Sequence, residues 1–97
     1  MEKTYYLSLN LKTPNGLEPY GRYDLGSDKD FARHVFDALM GIGEPAVQLV
    51  LHIDLIESED GVPFVLNVKH CTLNEVAENT KRITVELFRY HGLNAAT

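Results

Sequence analysis

At 97 residues, 44% hydrophobic and 24% charged, the chain has the length and composition of one globular domain, which excludes disordered and fibrous classes. Nine basic against 14 acidic residues leave a net charge of −5, which disfavours nucleic-acid binding because that affinity rests on a basic surface. Cys71 is the one cysteine, so no intramolecular disulfide forms and a reducing compartment is expected. The N-terminal residues lack the basic start and apolar run of a signal peptide, and no apolar run approaches the ~18 residues of a membrane span. A cytoplasmic protein with no membrane association is the expectation.

Residues Thr4 to Lys12 alternate, with Tyr5, Leu7, Leu9 and Leu11 on one side and Tyr6, Ser8, Asn10 and Lys12 on the other. Period two predicts a half-buried strand. Thr13-Pro14-Asn15-Gly16 then predicts a type I turn closed by a glycine bulge. The partner strand spans Leu17 to Leu25. That turn sets Lys12 opposite Glu18, Leu11 opposite Pro19, Leu9 opposite Gly21, Leu7 opposite Tyr23 and Tyr5 opposite Leu25.

A helix is expected from Ser27, whose side chain is placed to cap it. Phe31, Val35, Ala38 and Leu39 form its apolar stripe and Gly41 its stop. Gly41-Ile42-Gly43-Glu44-Pro45 follows a helix, whereas a phosphate loop follows a strand, so it reads as a connection.

The third strand is expected over Ala46 to Ser58, with Val47, Leu49, Leu51, Ile53 and Leu55 on one face. An Asp60-Gly61 type I′ turn joins it to Val62–His70. This register places Leu55 opposite Leu66, Ile53 opposite Val68, Ile56 opposite Val65, Asp54 opposite Asn67 and His52 opposite Lys69. A second helix opens with Thr72 and Glu75 in capping-box spacing and carries Val76, Thr80, Ile83, Leu87 and Tyr90 on one face, with Gly92 as its stop.

Gly16 and Gly61 stand 45 positions apart, as do Ser27 and Thr72, so the chain reads as one domain of two ββα units, about 1–45 and 46–92. Each strand has one apolar face, so both helices must cover the same side of the sheet. The predicted fold is an α+β two-layer sandwich, ββαββα, with a four-stranded antiparallel sheet. Pro19, Gly21 and Pro63 favour edge positions for the second and fourth strands, giving the order 2-1-3-4. The alternative is 1-2-4-3, a permuted ferredoxin-like arrangement.

The uncovered sheet face carries the candidate site. Tyr6, Tyr20, Arg22, Val50, His52, Asp54, Ile56 and Val65 are its candidate binding residues, because apolar side chains among polar ones mark an interface. His52 and Asp54, two apart on one strand, are the candidates for acid–base catalysis. No metal or cofactor is expected: the histidines lack ligand spacing, and strand parity sets His52 and His70 on opposite faces. Cys71 precedes a helix N-terminus, which lowers a thiol pKa, but a lone cysteine reads first as a small buried hydrophobe. These features predict a homodimeric interaction or assembly module rather than an enzyme. The alternative is a small-molecule-binding protein or enzyme with its His52/Asp54 site at a subunit boundary.

Overall fold

The computed structural model describes residues 2–44 and 49–93. The elements run β1 (Lys3–Thr13), β2 (Gly16–Gly26), α1 (Lys29–Asp37), β3 (Leu51–Glu59), β4 (Val62–Cys71) and α2 (Leu73–Tyr90). The strands form one antiparallel sheet in the order β2-β1-β3-β4, which retires the permuted alternative. Residues 46–48 of the expected third strand lie outside the described residues, and the strand itself starts at Leu51.

Tyr5, Leu7 and Leu9 of β1 and Ile53 and Leu55 of β3 form the floor of the core. Phe31, Val35 and Phe36 of α1 and Val76 and Ile83 of α2 close it from above. Each such side chain contributes about 1.5–3 kcal/mol on burial. Polar and aromatic contacts tie α2 to α1 and to the segment that follows it. Asn79 is buried and grips Met40, accepting from its N–H at 2.7 Å and donating to its carbonyl at 2.9 Å. Tyr90 stacks on Phe31 with centroids 4.0 Å apart.

The caps differ at one end. Thr72 and Glu75 form the reciprocal capping box the spacing predicts. At α1 the cap is Asp28, not Ser27: its carboxylate accepts from the Phe31 N–H at 3.1 Å. The ionised group binds more strongly and also complements the helix dipole. Helix α1 ends at Asp37, before Gly41. Gly41 has φ +138, and a Cβ there would meet the Cys71 sulfur and the His70 carbonyl at 3.0 Å. Its bare backbone lets Ile42 bridge to His70 on the outer edge of β4.

The strand registers contain three extra residues that alternation did not reveal. In β2 the pairs Lys12–Leu17, Leu11–Glu18 and Asn10–Pro19 give way to Leu9–Gly21 and Leu7–Tyr23, so Tyr20 is the extra residue. The expected Lys12–Glu18 and Leu11–Pro19 pairs are therefore absent. Near its end Tyr5 pairs with Gly26 rather than Leu25. The Thr13 hydroxyl tightens the first turn, accepting from Asn15 N–H and donating to the Gly16 carbonyl, so Thr13 pairs directly with Gly16. The bulge that brings the apolar faces into phase then falls at Tyr20 instead of at the turn.

In β4 the predicted register holds from Glu59–Val62 to Ile56–Val65 and then slips by one, making Leu66 the extra residue. Beyond it Leu55 faces Asn67, Asp54 faces Val68, Ile53 faces Lys69 and His52 faces His70. The four pairings expected there are replaced. The slip turns Lys69 and Cys71 toward the helices. Lys69 Nζ donates to the Phe36 and Leu39 carbonyls at 2.7 and 2.8 Å, satisfying the open end of α1. A one-residue slip inverts every later side chain, so this bulge decides which residues the bare face displays.

Candidate functional site

The bare face is a set of cross-strand rows. One row is Asp24, Tyr6, Ile56 and Val65; the next is Arg22, Ser8, Asp54 and Val68; the third is Pro19, Asn10, His52 and His70. Val50 lies just before β3, where its carbonyl accepts from the Lys12 N–H at 2.7 Å. The structure thus brings Tyr6, Arg22, Val50, His52, Asp54, Ile56 and Val65 to one face.

Tyr20 does not join them. As the extra residue of β2 it is 51% exposed, and its hydroxyl pKa is raised by burial and by Cys71 and Tyr23, groups of the helix-covered side. Glu18, Asn67 and Lys69 also leave the face, and His70 and Val68 enter it. Sequence parity set His70 on the far side of the sheet from His52. The Leu66 bulge overturns that, and the two imidazoles sit with centroids 5.4 Å apart. The apolar residues do not form one patch. Ile56 adjoins Val65, but Val50 is six residues along the strand, about 20 Å away.

His52 Nδ1 lies 2.7 Å from Asp54 Oδ1, and both side chains are largely shielded by their neighbours. Next to them Asn10 is buried; its amide donates to the Ser8 carbonyl, and its Oδ1 accepts from the Ser8 hydroxyl at 3.1 Å. On the outer row the Arg22 guanidinium lies 3.8 Å from the Tyr6 ring centroid and pairs with Asp24 at 2.8 Å. The Asp54 contact orients the His52 ring and leaves Nε2 for a partner group, the arrangement a general base requires. Among the described residues no three His, Cys, Asp or Glu side chains converge as metal ligands, the His52–His70–Asp54 group included.

Cys71 offers no nucleophile. It is buried against Met40 and Asn79, and burial pushes its thiol up to about 11, with Glu75 adding to the rise. Desolvation outweighs the helix dipole here, reversing the direction expected from the dipole alone. His34 pairs with the buried Glu86 of α2 at 3.1 Å, and His91 caps the end of α2. No helix among the described residues is long and apolar enough to cross a membrane. No protein-family model matches the chain, and comparison with curated proteins and with solved structures finds no match either.

Proposed function

We propose that this protein is a small interaction module that associates with a second copy of itself through the sheet face its helices leave bare. One observation supports the reading above the others. The polar groups at the centre of that face are already largely desolvated, Asn10 and His52 being 7% and 8% exposed, and the Asn10 amide and His52 Nδ1 are bonded within the chain. A partner covering them breaks few bonds to water, so the usual cost of burying polar groups is small. Val50 and Val65, at 44% and 57% exposure, supply apolar surface to bury. The face also carries both signs, with Lys12 and Arg22 against Asp24 and Asp54, so two copies meet there without the repulsion that −5 on each chain imposes elsewhere.

The test is sedimentation velocity on the wild type and on Val50→Lys/Val65→Lys. Ile56 is left alone, because at 8% exposure a charge there would unfold the chain rather than probe its surface. The wild type is expected to associate at tens of micromolar and the variant to shift to lower mass with an unchanged circular dichroism spectrum. A variant that sediments as the wild type does would sink the reading.

The 2.7 Å His52–Asp54 contact favours a second reading, a ligand site completed by the partner subunit. A groove of about 560 Å³ lies on α2, on the other side of the sheet from this dyad, and a smaller one of about 260 Å³ lies at the Thr4, Ser58 and Asp60-Gly61 end of the sheet, away from it. The walls of such a site therefore have to come from the partner.

A further inference from the structure

His52 and His70 form a pair that strand alternation sets apart and the Leu66 bulge brings together. Both residues are held firmly. His52 stands on β3, which has a strand on either side, and its Nδ1 is fixed 2.7 Å from Asp54 Oδ1. The backbone of His70 is gripped from outside by Ile42, its N–H donating at 2.7 Å and its carbonyl accepting at 2.9 Å. Groups held in place beforehand lose little freedom when they take up a ligand.

The ring centroids are 5.4 Å apart and the ring planes are inclined by 48°. A tetrahedral ion bonded at about 2.0–2.1 Å to one nitrogen of each of two imidazoles sets their centroids about 5 Å apart. Asp54 engages Nδ1 of His52 and leaves Nε2 as the free nitrogen. A carboxylate on the second nitrogen of a ligand imidazole fixes its tautomer and its orientation. Neither His52 Nε2 nor the His70 ring makes a hydrogen bond among the described residues, yet no side-chain nitrogen or oxygen there is both buried and unbonded. These nitrogens therefore reach solvent, although His52 as a whole is 8% exposed.

We propose that His52 and His70 chelate one divalent transition-metal ion, of the zinc, nickel and copper class, on the bare sheet face. Imidazole nitrogen suits these ions, whereas magnesium and calcium take oxygen ligands. No third histidine, cysteine or acidic side chain converges with the pair among the described residues, so water fills the remaining positions. The net charge of −5 draws a cation toward the chain. Both ligands belong to one chain, so the site does not rest on the association of two copies.

The experiment is calorimetric titration of zinc ion alone into the untagged full chain, with the imidazole C–H signals followed by NMR. One ion per chain is expected, with a Kd on the order of tens of micromolar. The His52 and His70 signals are expected to shift while those of His34 and His91 stay in place. Magnesium ion in the same titration is expected to give no heat of binding. His52→Gln and His70→Gln are each expected to weaken zinc binding roughly tenfold or more, because a single imidazole remains. His91→Gln is expected to leave it unchanged. His70 is half-buried at the sheet edge, so His70→Gln keeps the test open even if the more buried His52→Gln perturbs the fold, which circular dichroism checks for both. Zinc affinity that survives His70→Gln, shifts confined to His34 or His91, or no heat with zinc would each overturn the inference.

Discussion

His52 and His70 face each other across β3 and β4, and the ring contact exists because Leu66 is an extra residue in β4. The outward backbone groups of His70 bond to Ile42, so His52 and His70 form a non-hydrogen-bonded pair, the closer of the two antiparallel types at about 4.5 Å between Cα atoms. That spacing suits a disulfide.

His52→Cys with His70→Cys is therefore expected to form an intramolecular disulfide on mild oxidation, detected by a gel-mobility or mass shift. His52→Cys with Lys69→Cys is expected to remain reduced, since Lys69 points to the other side of the sheet. The native thiol does not compete, because Cys71 is buried. The opposite pattern would restore the regular register.

The Asp60-Gly61 turn holds both central residues at positive φ, +52 and +84, the type I′ conformation. Gly61→Val is expected to destabilise the protein by roughly 1–3 kcal/mol, since a β-branched residue is strained there. Urea denaturation measures this, and an unchanged midpoint would contradict the turn.

Glu57 accepts a hydrogen bond from the Tyr5 hydroxyl at 2.8 Å and lies 3.7 Å from Lys29. The Tyr5 bond is the largest cause that lowers its pKa, with Lys3 and Lys29 adding to it against the opposing effect of burial. A carboxyl whose folded pKa is depressed stabilises the protein above its unfolded value, about 4.3, and that stabilisation is lost as pH falls through the folded value. Glu57→Gln is expected to flatten the acid limb of the stability curve below about pH 4.3 while leaving the slope near neutrality unchanged. An acid limb as steep as the wild type's would remove Glu57 from this role.

With its pKa at about 11, the Cys71 thiol is expected to react with a disulfide reagent at pH 8 only as fast as the protein opens. The measurement is the labelling rate in buffer against the rate in guanidinium. Equal rates in both would show that the thiol is not buried.

Local chemistry and periodicity were enough to specify the strands, the helices, the type I′ turn, the capping box and the sheet order. Each of these depends on a few neighbouring residues: Asp60 beside Gly61, Thr72 three before Glu75, Pro19 and Pro63 in strands that cannot sit centrally. The membership of the bare face did not follow as far. His52, Asp54 and Ile56 stand on β3, which pairs with β1 without a slip, and Val65 pairs before the β4 slip, so alternation assigns them to the bare face as the structure does. Tyr20, Lys69 and His70 lie at or beyond an extra residue of their own strand and change sides. Alternation carries a weak trace of the Leu66 slip, because His70 and Cys71 break the even-numbered apolar phase of Val62, Phe64 and Leu66 in opposite senses.

What the sequence by itself determined is the architecture, since turn and cap energies act within a few residues. Only the tertiary structure decided where the strands slip. Leu66 bulges because Cys71 then reaches the core and the Lys69 amine reaches two carbonyls at and just past the end of α1, thirty or more residues away in the chain. A register is chosen by the total of such distant contacts, and no local pattern contains them. The same slip brings His70 to His52 and gives the bare face its chemistry.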